Sequence, residues 1–308
     1  MTKEKLLELY EKYKTENKNV NDIKLLRNYK DEDINVILNS KYPFVMKEII
    51  LTDGFKMLKE NEKKEIIDII NNVKEEIIAQ NIYRIINSKP IISSDLFITI
   101  AKIISNCTPI SVSYTTNLAL NFEVLLNKNG LKLIEIVGSS KTTIGAINSS
   151  LIAKNSTVLM NQESIELTKL ASETDDEIQS KIVHHISTNR DILSSGITLK
   201  LAKIASTIKC ENKAQLFLTI AADKTLEKNN QTTYYITKMF LAKTYEETLD
   251  IYNEAQDLIK KIKIRENKMK KDKTLFWDLY KHNPKEAILL LETKFKDEEE
   301  ITIYTKIR

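Results

Sequence analysis

The sequence predicts an all-α protein, built as a right-handed α-solenoid of stacked helix pairs. Three observations support this fold class. A short apolar pattern recurs every 33 to 35 residues, only 5 glycines and 4 prolines interrupt the chain, and alternating strand patterns are rare. Few helix-breaking residues favour helices joined by short polar turns. A strand is suggested only at residues 301–307 (ITIYTKI).

The repeat is visible in five segments that align without gaps. Each places apolar residues at its first, third, sixth and seventh positions. That spacing is close to the buried stripe of an amphipathic helix. The segments are residues 98–105 (ITIAKIIS), 131–138 (LKLIEIVG), 165–172 (IELTKLAS), 199–206 (LKLAKIAS) and 234–241 (YYITKMFL).

A second helix is expected after each of the first four segments, beyond a polar turn. One helix pair cannot bury its own apolar face, so neighbouring pairs must stack and share an interior. A less regular pair, at residues 66–71 and 77–86, precedes the array. The expected second helices span residues 112–126, 144–154, 178–188 and 214–226.

Three parts are predicted along the chain. Residues 1–21 form a leader helix and linker, residues 22–264 form the helical-repeat domain, and residues 265–308 form C-terminal capping helices. Thr244 and Glu247 have capping-box spacing, which predicts a long helix over residues 244–264. A basic hinge at residues 266–273 follows it, and a terminal helix pair then packs Trp277 inward.

Charge and composition argue against several classes of protein. Lys and Arg total 47 against 43 Asp and Glu, so the net charge of +4 is far from that of a dedicated nucleic-acid binder. No stretch approaches the length of a membrane span, and no secretory signal is recognised. Cys107 and Cys210 are the only cysteines and lack metal-ligand spacing. We therefore expect a cytoplasmic protein that makes no membrane contact.

Candidate catalytic and metal-binding residues are weak. No nucleophile motif, phosphate loop or zinc motif is found, so we expect no catalytic residues, no metal and no cofactor. His184 and His185 are adjacent, and neighbours on a helix point about 100° apart, which suits shared metal binding poorly. Asp175, Asp176 and Glu177 precede an expected second helix, where capping is favoured over acid–base chemistry.

One basic concentration stands out, at residues 260–273 (KKIKIRENKMKKDK). Such a run can contact phosphate. It contains no aromatic residue that would stack on bases, so a solvated helix end is the favoured interpretation.

The second helices are predicted to line the partner-binding groove with their non-core faces. In residues 178–188, Ile178, Ile182 and Ile186 would face the core, which turns the intervening polar residues outward. A solvated surface is the alternative for each of them. The candidate partner-binding residues are Asn117, Asn121, Ser149, Lys154, Lys181, His184, Thr188, Thr219 and Asp223.

The order of four segments suggests a family. They are residues 4–10 (EKLLELY), 22–34 (DIKLLRNYKDEDI), 50–69 (ILTDGFKMLKENEKKEIIDI) and 127–142 (NKNGLKLIEIVGSSKT). Gly54 and Gly130 each precede an apolar helix start, as glycines do at armadillo-repeat openings. Over roughly the first half of the chain, this order resembles the armadillo-type nucleotide exchange factors of the 70-kDa heat-shock chaperones.

The resemblance implies a non-enzymatic, monomeric co-chaperone with armadillo- or HEAT-like repeats. Its concave face would bind the chaperone's ATPase domain and favour the nucleotide-free state, so that ADP leaves. A generic protein–protein scaffold subunit is one alternative, and a helical-repeat nucleic-acid-binding protein is another. Nucleic acid is the less favoured partner, because Glu173, Asp175 and Asp176 would repel phosphate at one inter-helix turn.

Overall fold

The computed structural model describes residues 30–294, and every regular element in this range is a helix. The all-α class is therefore confirmed for these residues. The predicted leader at residues 1–21 and the strand suggested at residues 301–307 lie outside them. The chain divides into two compact units, the first ending at Leu218 and the second beginning at Thr219.

The first unit contains sixteen complete helices within the described residues. They are α1 (Asp31–Asn39), α2 (Pro43–Leu51), α3 (Asp53–Met57), α4 (Glu60–Asn72), α5 (Glu76–Ile86), α6 (Lys89–Ile92), α7 (Phe97–Ser105), α8 (Val112–Ala119), α9 (Phe122–Leu126), α10 (Gly130–Gly138), α11 (Thr143–Ala153), α12 (Ser156–Leu159), α13 (Ser164–Glu173), α14 (Glu177–Thr188), α15 (Arg190–Ser194) and α16 (Thr198–Ala205).

The boundary between the units falls inside α17 (Glu211–Ala222). The described part of the second unit continues with α18 (Lys224–Lys228), α19 (Thr232–Leu241), α20 (Tyr245–His282) and α21 (Pro284–Lys294).

Each repeat contains three helices rather than the predicted two. A first helix such as α10 is followed by a second helix such as α11 and then by a short third helix such as α12. The second helix expected over residues 112–126 is accordingly two helices, α8 and α9, and the one expected over residues 214–226 ends at Ala222. Both expected helices are interrupted because a capping side chain, Asn121 in one and Asp223 in the other, starts a new helix.

The short third helices are started by a cap that recurs every 34 residues. The Oδ1 atom of Asn121 accepts hydrogen bonds from the backbone N–H groups of Glu123 and Val124, at 2.9 and 3.3 Å. Such a side chain supplies a partner to amides that have none inside the helix. Asn155, Asn189 and Asp223 accept equivalent bonds at the starts of α12, α15 and α18.

The second helices are started by another cap in the same 34-residue register. Thr142, Asp176 and Thr244 are N-caps whose side-chain oxygens accept from the N–H three residues later, at 3.1, 2.8 and 3.1 Å. The capping role expected for the acidic run is thereby confirmed at Asp176. Thr108 accepts from Ser111 N–H in the corresponding turn, whereas Cys210 occupies this position before α17.

The helices of the first unit lie in two rows. First helices α4, α7, α10, α13 and α16 each contact the next of their kind, and this series is called the A row. Helices α2, α5, α8, α11 and α14 do the same, and they form the B row. A continuous apolar cluster of buried residues extends from Ile37 to Leu159. Successive repeats therefore share an interior over this range, as stacking requires.

Polar side chains also join one repeat to the next. Ser111 Oγ donates to the carbonyl oxygen of Gly138 at 2.6 Å, and Asn148 Nδ2 donates to Ser180 Oγ at 2.9 Å. Both bonds are buried, where a hydrogen bond that is left unmade is costly. Further bonds between repeats run from Asn127 Nδ2 to Leu159 O at 2.9 Å and from Gln179 Nε2 to Ile208 O at 2.7 Å.

Gly130 is required by close approach between segments. A Cβ atom at this position would lie 2.0 Å from the carbonyl oxygen of Val124, which belongs to the preceding short helix. No side chain fits there without moving the backbone. Gly130 therefore allows α9 and α10 to follow one another closely.

In the second unit, α20 is one uninterrupted helix of 38 residues. The predicted hinge at residues 266–273 was therefore wrong, and the helix crosses the expected domain boundary at residue 264. Helix α20 contains no glycine or proline and is rich in Lys, Glu and Leu, which are good helix formers. Its capping box at Thr244 and Glu247 is present as predicted.

The two ends of α20 are packed against other helices of the second unit. Near its start it contacts α19, and the Nζ atom of Lys238 lies 2.6 Å from an oxygen of Glu254. Near its end it contacts α21, where Phe276 and Ala287 are buried together. Trp277 is half-buried beside this small core, so its inward packing is only partial.

The two cysteines differ in environment, and we predict that they differ in reactivity. Cys107 is buried, and burial raises the pKa of its thiol to about 11, so almost no thiolate forms near pH 8. Cys210 is exposed. A chromogenic disulfide reagent at pH 8 should titrate one thiol per native chain and two after denaturation. The Cys210→Ser variant should show none when folded. Rapid titration of two thiols in the native wild-type chain would contradict the described burial.

Candidate partner-binding surface

A shallow cleft lies between two neighbouring B-row helices, α8 and α11. Its volume is about 240 Å³. Two predicted partner-binding residues, Asn117 and Lys154, come from different repeats and are both part of its wall. The complete lining is Tyr114, Asn117, Leu118, Ile147, Ser150, Leu151 and Lys154.

Asn117 is also tied to the preceding repeat. The guanidinium group of Arg84 donates from Nη2 to Asn117 Oδ1 at 2.7 Å and from Nη1 to Asn81 Oδ1 at 3.1 Å. Arg84 therefore bridges α5 and α8. Although Arg84 and Asn117 are both exposed, the bond holds them in a defined position.

A second cleft of about 280 Å³ lies between α2 and α5, the preceding B-row pair. Its walls include the aromatic rings of Phe44 and Tyr83. With the first cleft, it outlines a partly apolar surface along the B row. We call this the B-row surface and define it by Phe44, Tyr83, Arg84, Tyr114, Asn117, Ile147, Leu151 and Lys154.

The polarity of α11 reverses the expected arrangement. Asn148, Ser149 and Ser150 are buried, whereas Ile147 and Leu151 are only partly buried and line the cleft. Helix α11 contacts α8, α10, α13 and α14, so only a narrow strip of it meets solvent. Small polar residues fit the crowded side. Sequence analysis missed the apolar strip because it places apolar residues in the core. The triplet Asn-Ser-Ser inside a helix was the available signal that small polar residues occupy the buried side.

Three predicted site residues have structural roles instead. Ser149 is fully buried, and its hydroxyl donates to the carbonyl oxygen of Ala146 at 3.3 Å. The prediction that it points outward was therefore wrong. Asn121 and Asp223 use their side chains as the caps of α9 and α18. Those side-chain oxygens are committed to backbone amides.

The remaining predictions fall on α14 and α17. Lys181 is half-buried and pairs with Glu177 one turn earlier. His184 is half-buried, with its ring centroid 4.9 Å from that of His185. Thr188 donates its hydroxyl to the carbonyl oxygen of His184 at 2.9 Å. Thr219 is half-buried and, like Asp223, belongs to the second unit.

Two kinds of functional feature are absent from residues 30–294. No group of three or more His, Cys, Asp or Glu side chains in this range is arranged to hold a metal ion. Among the helices described, none combines the length and apolar character of a membrane span.

Comparison with protein-family models, with curated proteins and with solved structures gives no match to this chain. The function is therefore inferred from the B-row surface and from the sequence patterns.

The predicted site residues Ser149 and Lys154 differ in burial, and we expect their variants to differ in stability. Ser149→Gln forces a longer side chain into a packed site and should lower the free energy of unfolding by about 1–3 kcal/mol. Lys154→Gln, in an exposed position at the C-cap of the same helix, should change it by less than about 0.5 kcal/mol. Urea unfolding followed by circular dichroism measures both. Equal stability of the two variants would contradict the orientation of α11.

Proposed function

We propose that this chain binds another protein through the B-row surface and catalyses no reaction. The observation that carries the proposal is the partly exposed apolar strip of Ile147 and Leu151 beside Tyr114 and Lys154. Aromatic residues and arginine are enriched in the parts of interfaces that contribute most binding energy. Tyr83 and Arg84, which belong to the B-row surface, are residues of these types. A partner that covers this strip would remove apolar area from water.

The proposed architecture is a right-handed, armadillo- or HEAT-like solenoid. Support comes from the two rows of helices, which follow the order of the sequence, and from their shared apolar interior. Arrays of this kind present extended surfaces to large partners. The concave face is proposed to be the B-row side.

The narrower proposal is a nucleotide exchange factor for a 70-kDa heat-shock chaperone. It is supported by the family resemblance at residues 50–69 and 127–142, together with the position of Gly130 at the start of α10. The B-row surface would bind the ATPase domain in its open form. ADP release would then accelerate because the partner binds the nucleotide-free state more tightly. The protein would act as a cytoplasmic monomer without a cofactor.

Release of a fluorescent ADP analogue from a 70-kDa chaperone tests this function. The wild-type chain should accelerate release, whereas Lys154→Glu with Lys181→Glu should abolish most of the acceleration by placing like charges against the partner. The control is Lys132→Glu with Lys169→Glu, which reverses two exposed charges in the A row. It should leave the acceleration unchanged.

The outcomes separate the candidate functions. No acceleration by the wild-type chain would overturn the exchange-factor proposal and leave a scaffold subunit, for which the B-row surface is equally suited. Equal loss of acceleration in both double variants would show that the B row is not the binding side.

A further inference from the structure

The middle of α20 carries the strongest local charge of the described chain. Residues 260–273 contain eight Lys or Arg residues and two acidic residues. Since they are all helical, they span about 21 Å. We call residues 260–273 the basic helix segment. It is neither a hinge nor a frayed helix end.

Both flanks of the basic helix segment are packed. Ala255 and Ile259 are buried before it, and Phe276 is buried with Ala287 after it. Within the segment, the described side chains are exposed except for three that are half-buried, namely Ile262, Met269 and Lys273. The segment is therefore a helix held at both ends, with most of its circumference open to solvent. A partner need not order it on binding.

The face of the segment opposite its half-buried side is open to solvent, and lysines lie along both edges of this exposed face. At 100° per residue, Lys263 and Lys270 lie on one side of this face, and Lys261 and Lys268 lie on the other. The two pairs are separated by about 160° around the helix axis. Lys260 and Lys271 lie between them, whereas Glu266 lies toward the half-buried side.

The positive charge of the segment is largely uncompensated. Among the side chains that the structure describes here, Lys260 alone lies within ion-pair distance of a carboxylate, that of Asp257 at 3.3 Å. Like charges three or four residues apart, such as Arg265 with Lys261 and Lys268, repel one another and weaken a helix. An anionic partner would relieve this repulsion.

We propose that the basic helix segment binds double-stranded DNA by lying in the major groove. That groove is about 12 Å wide and admits an α-helix. A helix in it has phosphates of both strands on its two sides, which matches the pairs Lys263 with Lys270 and Lys261 with Lys268. The contact is to the backbone, so it requires no aromatic residue and reads no sequence.

Other anionic surfaces fit the segment less well. A helix that lies on a membrane needs a broad apolar face, but Ile264 is the one exposed aliphatic residue described within the segment, and Leu275 lies just beyond its end. Single-stranded nucleic acid favours stacking on aromatic rings, and the segment has none. The major groove of duplex RNA is too narrow to be entered in this way.

Fluorescence anisotropy with the full chain and a labelled 20-base-pair DNA tests the proposal over 50 to 200 mM salt. The quadruple variant K261Q/K263Q/K268Q/K270Q should weaken binding by at least about 30-fold at 100 mM salt. It should also flatten the slope of log K against log salt by about 3.6, because each of the four lost phosphate contacts contributes about 0.9. Glutamine keeps the helix, which circular dichroism checks.

A matched control removes four exposed lysines from the A row. The variant K132Q/K169Q/K200Q/K203Q has the same net charge as the test variant but should bind DNA nearly as well as the wild-type chain. Similar weakening by both variants would overturn the proposal, as would absence of wild-type binding at 50 mM salt. Tighter binding to anionic vesicles, to single-stranded DNA or to duplex RNA than to duplex DNA would also overturn it. None of these results depends on the chaperone experiment.

Discussion

The fold of the first unit depends on burial of each repeat's apolar face by the next repeat. A single three-helix repeat of 34 residues is too small to enclose a core, and short helices are marginal in water by themselves. The apolar cluster that runs from Ile37 to Leu159 solves this problem by extending through successive repeats. Buried bonds such as Asn148 to Ser180 then fix the register, because a slipped pairing would leave polar groups without partners.

The period of the array is set as much by caps as by apolar residues. The apolar segments recur at 33 to 35 residues, whereas the caps at Asn121, Asn155, Asn189 and Asp223 recur at 34. A cap must lie at one position relative to its helix, while an apolar stripe tolerates a shift of one residue. Many Asn, Ser and Thr side chains therefore cap helices in the turns or form hydrogen bonds between repeats, and few of them are left for partner contacts.

Sequence patterns predicted the helical class, the first helices, the cap at Asp176 and the start of α20 at Thr244, because these features depend on local chemistry. They missed the short third helices, since Asn121 looks like an ordinary polar residue until its cap geometry is seen. They also missed the continuity of α20, because a run of lysines is equally typical of a solvated helix end. Of the candidate site, Asn117 and Lys154 lie together, but Ser149 is buried, because the orientation of α11 depends on four neighbouring helices.

On this view, each repeat folds only because its neighbours cover its apolar face. Chains of one, two and three repeats, residues 130–163 (α10 to α12), 130–197 (α10 to α15) and 97–197 (α7 to α15), test this when helix content is measured by circular dichroism. The one-repeat chain should have little helix, and the helix content per residue should rise with each added repeat. The three-repeat chain should unfold cooperatively. A one-repeat chain as helical as the three-repeat chain would show that a repeat folds without its neighbours.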